Sequence, residues 1–171
     1  MSDDLIDIFL QNCPHDSEYN FRECRISDNI LSKFQREDWQ KIVSWIGSEK
    51  ELFDYMQELP YCMAALVYAS RKTDEPLNFM LILRDHSSDE NTVTFHGGSW
   101  SSPFITFRTG RQLLYTLSRC GFKVRTSIKT DNLKAQRFVE AIGMTKSTRK
   151  NNIFWYKNSD KLIDKININK K

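Results

Sequence analysis

The sequence predicts one domain of the mixed α/β (α+β) class, and three observations lead to this expectation. Stretches in which apolar and polar residues alternate indicate strands, and stretches with apolar residues three and four positions apart indicate amphipathic helices. The two kinds of stretch follow one another along the chain, which is typical of one mixed domain. At 171 residues, 40% of them hydrophobic, the chain is long enough to form a core. We therefore expect a single domain over 1–171, with an N-terminal extension at 1–18 and a polar tail at 158–171.

The first half of the chain is predicted to be mainly helical. Leu5, Ile8 and Phe9 share one helical face, and two aspartates before them favour a helix N-terminus. Gly47 and Ser48 separate two amphipathic stretches as the end of one helix and the cap of the next. The expected elements are a helix at 3–11, a strand at 21–26, a helical stretch that begins at Ser27 or Asp28, and helices at about 37–46 and 49–59.

The second half is predicted to contain most of the sheet. Alternating or continuous apolar runs indicate the strands, and Ser102 followed by Pro103 is a strong helix start. The expected elements are strands at 62–69, 77–83 and 92–97, a helix from Pro103 to about Cys120, a strand at 122–128, a helix that ends near Gly143, and a hairpin of 145–148 with 152–156.

Composition and cysteine spacing argue against several classes of protein. The 25 basic and 22 acidic residues give a formal net charge of +3, so the field of the whole chain does not favour nucleic acid. The four cysteines are isolated, so neither a zinc site nor a disulfide framework is expected. The acidic N-terminus is not a secretory signal, and no apolar run has the length of a membrane span. These observations predict a cytoplasmic protein with reduced thiols, no bound metal and no membrane contact.

The most specific motif follows the predicted strand at 122–128. Asn132, Ala135, Gly143 and Met144 have the spacing Asn-x2-Ala-x7-Gly-hydrophobic. With the strand before it, this pattern resembles the C-terminal half of the Gcn5-related N-acetyltransferase (GNAT) family, and the resemblance is strongest over residues 92–157. It implies a mixed, mostly antiparallel sheet with helices on both faces, splayed open between its fourth and fifth strands. Acetyl-CoA is then the expected cosubstrate, bound in the V-shaped gap.

The phosphate-binding turn that the resemblance implies has two possible positions. In the family, main-chain amides of a glycine-rich turn at a helix N-terminus hold the CoA pyrophosphate. Alignment of Leu113 with the leucines that usually follow this turn puts Gly110 at its last glycine. The cofactor would then contact Arg108, Thr109, Gly110 and Arg111, with the arginines supplying positive charge. The alternative interpretation of this stretch is that Gly110 allows close packing and that the arginines form a solvated face.

The second possible position is a turn that begins at Gly97 and Gly98. His96 lies just before it and is the expected general base, since the ordinary pKa of histidine is near neutrality. In the family, a tyrosine seven residues after the Asn usually protonates the departing thiolate, but Val139 stands there and cannot donate a proton. Asn132 is expected either to contact the pantetheine part of the cofactor or to cap the following helix.

The resemblance implies an acetyl-CoA-dependent N-acetyltransferase, bacterial or from a phage, that acts by direct transfer on an amine-bearing small molecule or protein. The alternative is a catalytically inactive protein of the same fold, such as a phage virion or assembly component. It would dock on a protein partner through the Asn- and Lys-rich tail and the hairpin around Trp155. A nucleic-acid role ranks last. Lys123, Arg125 and Lys129 lie near aromatic residues, but acidic residues are interspersed along the chain. The expected location is the cytoplasm, or the virion under the alternative.

Overall fold

The fold is a seven-stranded sheet with helices on both faces. The computed structural model describes residues 3–34, 46–84 and 91–158. The helix predicted at 37–46 falls outside these ranges except for its last residue, and so does the tail at 158–171 except for its first. The strands are β1 (Tyr19–Glu23), β2 (Met63–Ser70), β3 (Pro76–Arg84), β4 (Thr92–Ser99), β5 (Lys123–Lys129), β6 (Met144–Lys150) and β7 (Ile153–Asn158).

The strand order is β1-β2-β3-β4-β5-β7-β6, and every neighbouring pair is antiparallel except the parallel pair of β4 and β5. The mixed, mostly antiparallel sheet that the resemblance implies is therefore confirmed. β7 lies between β5 and β6, so the last described strand is an inner strand of the sheet.

Five helices accompany the sheet within the described residues. They are α1 (Leu5–Asn12), α2 (Ile30–Lys33), α3 (Glu49–Glu58), α4 (Pro103–Arg119) and α5 (Leu133–Ala141). The prediction of one helical stretch from Ser27 or Asp28 is wrong, because a 3-10 turn at Ile26–Asp28 is separated from the short helix α2 by Asn29. Asn29 has a φ of 51° in the left-handed region, which a right-handed helix cannot pass through.

The sheet separates two apolar clusters. In β3, Met80 and Ile82 point to the side of α1, α4 and α5, whereas Phe79 and Leu81 point to the side of α2 and α3. Both sets are buried, which explains why β2 and β3 read as nearly continuous apolar runs. α1 belongs to the first cluster, since Leu5 and Phe9 are fully buried there.

Asn158 joins the half of the sheet formed by β5, β7 and β6 to the rest of the molecule. Its buried side-chain carbonyl accepts a hydrogen bond from the Val124 amide at 3.3 Å. Its side-chain amide donates to Ser118 Oγ at 3.0 Å and to the Phe122 carbonyl at 3.4 Å. One side chain at the end of β7 therefore contacts β5, the end of α4 and the turn between them.

A buried ion pair stabilises the turn after β1. Arg22 donates from Nη1 to Asp28 Oδ2 at 2.9 Å and from Nη2 to Oδ1 at 2.7 Å, and its Nε donates to Asp74 at 2.8 Å. Arg22 and Asp28 are only 9% and 8% exposed. Burial tends to raise the pKa of Asp28, but hydrogen bonds from Arg22 and from the Arg25 amide outweigh it and hold this pKa below its ordinary value.

The four cysteines are free thiols, and burial raises the pKa of Cys13 and of Cys24 to about 12. Both thiols therefore stay protonated at neutral pH and are poor nucleophiles. Within the described ranges, no cluster of histidine, cysteine and acidic side chains has the arrangement of a metal site. In the same part of the chain, no helix combines the length and apolarity that a membrane crossing requires.

Candidate functional site

A cleft opens in the sheet where β4 and β5 diverge. The two strands pair over three positions only: Thr92 with Lys123, Val93 with Val124, and Thr94 with Arg125. Just beyond the last pair, Thr126 Oγ1 donates a hydrogen bond to the Phe95 carbonyl at 2.9 Å. β4 then continues to Ser99 along β3, and β5 continues to Lys129 along β7. The splay between the fourth and fifth strands is thus confirmed, and it leaves one edge of each strand facing the gap.

His96 lies on β4 immediately beyond the point of divergence. It is paired with Leu81, whose side chain belongs to the cluster of α2 and α3, so His96 points to that side of the sheet. It is half-buried, and burial lowers its pKa below the ordinary value of 6.5. The imidazole is therefore neutral at pH 7 and can accept a proton.

The turn between β4 and α4 carries a network of hydroxyl groups at the mouth of the cleft. Ser102 caps α4 by accepting from the Ile105 amide at 3.3 Å, and Pro103 occupies the first helical position, as predicted. Ser101 Oγ donates to the buried side chain of Asn78 at 2.8 Å. Asn78 in turn donates to Thr109 on α4. This network ties the turn to β3 and to the second turn of the helix.

Sequence reasoning missed Asn78, although a signal was available. Asn78 is the one amide side chain in the run of apolar residues from Leu77 to Leu83 and is only 3% exposed. A polar group buried in a strand needs partners, so it points to a nearby polar element.

The stretch Phe107–Arg111 lies within α4 and not at its N-terminus. Its main-chain amides belong to the helix ladder and are not presented to a ligand. Thr109 is buried and donates to the Ile105 carbonyl at 2.7 Å, and Gly110 is buried beside α5. The other predicted turn was expected to begin at Gly97 and Gly98, but both glycines lie in β4, where they pair with Met80 and Phe79 of β3. The turn at the start of α4 therefore begins only after Ser99.

The two arginines of this stretch have different surroundings. The Arg108 guanidinium forms an ion pair with the carboxylate of Asp16 and lies 5.6 Å from the centroid of the Tyr19 ring. It thereby connects α4 to the loop before β1. Arg111 is exposed, with its guanidinium 5.6 Å from the centroid of the Phe107 ring.

The start of α5 forms the other side of the cleft mouth. Asn132 caps the helix through its side-chain oxygen, which accepts from the Ala135 amide at 3.2 Å, and it is exposed. Gln136, which the sequence reasoning did not single out, donates to the carbonyls of Lys129 and Thr130 at 3.2 and 3.0 Å. Val139 is 3% exposed within the apolar core.

Gly110 is required for the close packing of α4 on α5. A Cβ atom at this position would lie 2.6 Å from Phe138 Cζ and 3.1 Å from Ile142 Cγ2. We expect Gly110→Leu to lower the free energy of unfolding by about 1–3 kcal/mol through overpacking. Chemical denaturation measures this loss.

A second substitution provides the control for this prediction. Phe138→Ala removes the ring that the new side chain would meet, so the double variant should lose less stability than the sum of the two single losses. Additive losses would contradict the packing role of Gly110.

The topology and the cleft together define the fold of the Gcn5-related N-acetyltransferases. Four antiparallel strands, β1 to β4, are followed by a parallel pair that splays open, and the N-terminus of α4 faces the gap. Among solved structures, the apo form of FdhC, a nucleotide-linked sugar GNAT, is similar with a TM-score of 0.66 and 12% identity, covering 92% of this chain and 96% of its own. A spermidine N-acetyltransferase SpeG chimera from Vibrio cholerae and hSSAT is similar with a TM-score of 0.65 and 13% identity. The match covers 89% of this chain and 99% of the chimera.

A third similar structure is the aminoglycoside acetyltransferase AAC(6')-Ib in complex with coenzyme A and kanamycin, with a TM-score of 0.60 and 14% identity, over 86% and 98% of the two chains. No protein-family model matches the sequence, and no curated protein matches it. The chain therefore has the GNAT fold, with a sequence that has diverged far from these structures.

Proposed function

We propose that this protein is an N-acetyltransferase that transfers the acetyl group of acetyl-CoA directly to an amine. The observation that carries the proposal is the cleft, in which unpaired edges of β4 and β5 face each other beyond Thr94 and Arg125. A strand edge offers main-chain donors to an extended, amide-containing ligand such as pantetheine. AAC(6')-Ib, which shares the fold, holds coenzyme A.

The reaction requires an amine, a base and a polarised thioester. The neutral amine attacks the carbonyl carbon of the thioester, its proton passes to His96, and the carbon–sulfur bond breaks as the carbon–nitrogen bond forms. A main-chain amide of Gly97 or Gly98 polarises the carbonyl oxygen. Because Val139 has no proton to give, water protonates the departing thiolate.

The cofactor phosphates are assigned to the turn between β4 and α4. The N-terminus of α4 carries a partial positive charge and faces the cleft mouth. Hydroxyl groups of Ser99 and Ser101 lie at this turn. Asn132, at the start of α5, is the residue proposed to contact the pantetheine arm. Arg111 belongs to this proposal only as a source of positive charge behind the turn, because the charge of Arg108 is paired with Asp16.

The acceptor is proposed to be a small molecule with a primary amine, and the cytoplasm is its proposed location. The fold neighbours include proteins whose names specify spermidine and aminoglycosides, so polyamines and aminoglycosides are the first acceptors to screen.

Acetyl-CoA is expected to raise the thermal unfolding midpoint of the purified protein. Ligand at a hundred times its dissociation constant stabilises the folded state by about 2.7 kcal/mol.

Phe104 is 68% exposed in the first turn of α4, so a carboxylate there would repel the phosphates without disturbing the core. Phe104→Glu should weaken acetyl-CoA binding in calorimetry about tenfold, or about 1.4 kcal/mol.

Phe104→Gln is the matched control and should bind nearly as tightly as the unmodified protein. If Phe104→Glu binds normally and Arg111→Glu does not, the phosphates lie along Arg108–Arg111 instead. If acetyl-CoA neither shifts the midpoint nor releases heat at millimolar concentration, the protein is not an acetyltransferase.

One set of observations favours the second candidate, an inactive protein of the same fold. Pro103 has no amide hydrogen, the Ile105 amide is already bonded to Ser102, and Val139 replaces the usual acid. These features reduce the number of groups available to a cofactor. Under this candidate the hairpin of β6 and β7 is the docking surface, and no acetyl-CoA binding is expected.

A further inference from the structure

The far half of the sheet concentrates positive charge. The strands β5, β6 and β7 contain no acidic residue and seven basic ones. The basic residues are Lys123, Arg125, Lys129, Lys146, Arg149, Lys150 and Lys157. The net charge of the whole chain is only +3, so the composition alone does not reveal the positive charge that is concentrated on these three strands.

Strand register places five of these cations on one face, which we call the basic face: Lys123, Arg125, Lys129, Lys150 and Lys157. Arg125 pairs with Lys157 across β5 and β7, and Lys129 and Lys150 both pair with Ile153. Paired residues project to the same side of a sheet, and residues two apart on a strand project together. Trp155, two residues before Lys157, therefore lies at the centre of the basic face.

The basic face is open within the described part of the chain. The apolar cluster under α2 and α3 contains residues of β2 and β3 but none of β5, β6 or β7. Lys129, Lys150 and Lys157 are exposed, and Ile153 is 38% exposed. Three strands of about 4.8 Å spacing and six or seven residues give an area of roughly 10 by 20 Å. Small molecules are usually held in enclosed concave sites, so an open sheet face of this extent suits a macromolecule.

Aromatic rings lie among the cations on both sides of the hairpin. The Arg125 guanidinium is 4.3 Å from the centroid of the Trp155 ring. On the opposite side, Lys146 Nζ is 3.8 Å from the centroid of Phe154, and the Arg149 guanidinium is 5.5 Å from it. On the basic face itself the ring is that of Trp155, with the Arg125 guanidinium over it. A ring and a guanidinium plane set among cations on an open sheet face can bind single-stranded nucleic acid, because phosphates meet the cations and bases stack on rings or guanidinium planes.

We propose that the basic face binds single-stranded nucleic acid. The lysines of the edge strand β6 also discourage pairing with other sheets. That role does not account for Arg125 and Lys157, which lie on inner strands. An acidic protein segment would pair with the cations, but its carboxylates would not stack on rings covered by cations. The proposal does not depend on acetyl transfer.

Fluorescence anisotropy with labelled 20-mers of deoxythymidine and of uridine tests the proposal. The full chain should bind at 50 mM salt, and the logarithm of the binding constant should fall with the logarithm of salt concentration with a slope of roughly −2 to −3, as for three or four phosphate contacts. Lys150→Glu/Lys157→Glu should weaken binding at least about tenfold at about 100 mM salt. Trp155→Phe should remove most of the tryptophan quenching that accompanies binding.

Lys72→Glu/Lys134→Glu is the matched control, since it changes the net charge equally at exposed positions away from the basic face. It should weaken binding less than about threefold. An equal loss in both double variants would mean attraction to net charge alone and would overturn the proposal. So would binding of a polyglutamate peptide as tight as that of the oligonucleotides, or no binding of any probe.

Discussion

Replacement of His96 with alanine is expected to lower kcat by about 10²–10⁴-fold, the usual contribution of a general base. The acetyl-CoA dissociation constant should stay within about twofold, because the side chain points to the side of α2 and α3 and not along the strand edge. A steady-state assay with an acceptor from the amine screen, together with calorimetry, separates the two quantities. His15→Ala is the control, since His15 is exposed in the loop before β1.

The pH profile gives an independent test of the same residue. Burial disfavours the imidazolium and holds the pKa of His96 below 6.5, so the base form persists from neutral pH down to that lowered value. Protonation of the acceptor amine lowers the rate at higher pH, so the step that belongs to His96 is the separate one below pH 6.5 in kcat at saturating acceptor. This step should be missing from the residual activity of His96→Ala. A variant with normal turnover, or with the acid step intact, would remove His96 from the mechanism.

Asp28→Ala is expected to lower the free energy of unfolding by about 3–5 kcal/mol, the cost of leaving one member of a buried ion pair without its partner. Arg22 would keep the Asp74 carboxylate and the carbonyls of Glu23 and Asp74 as acceptors, but its buried guanidinium would lose the bidentate carboxylate of Asp28. Urea denaturation measures the loss. Asp54→Ala, at an exposed position of α3, is the control and should change stability by less than about 0.5 kcal/mol.

Two further outcomes follow from the same pair. Arg22→Met/Asp28→Ala should be more stable than Asp28→Ala alone, because no uncompensated charge stays buried. The lowered pKa of Asp28 means that the unfolded chain binds its proton first as pH falls, so the contribution of this group is complete at neutral pH and is lost below about pH 5. Asp28→Asn should flatten this acid dependence. An unchanged pH dependence in Asp28→Asn would show that other carboxylates dominate acid unfolding.

The elements of the second half of the chain were predictable because their signals are local. Nearly continuous apolar runs predicted β2 and β3, and alternation of apolar residues predicted β4 and β5, each to within about two residues. Ser102 with Pro103 marked the start of α4. The splay of the sheet came from the resemblance carried by Asn132 and Gly143. No local pattern encodes that a parallel pair stops after three positions.

The site was less predictable because its geometry depends on contacts between distant segments. Gly110 looks the same in sequence whether it binds phosphate or packs a helix, and only the position of the helix start and of Phe138 distinguishes the two. The pair of Asp28 with Arg22 and the charge of the basic face depend on strand register and on turns such as that at Asn29. These relations join residues that no short window contains.

The position of β7 has a consequence for synthesis on the ribosome. Because β7 is hydrogen-bonded to β5 on one side and to β6 on the other, the part of the sheet formed by β5, β7 and β6 cannot assemble until Asn158 has left the exit tunnel. Until then, β1–β4 can pair, but β5 and β6 have no strand between them. A nascent or truncated chain that ends before Asn158 therefore exposes the edges of β5 and β6 that β7 covers in the folded protein, and such edges promote aggregation.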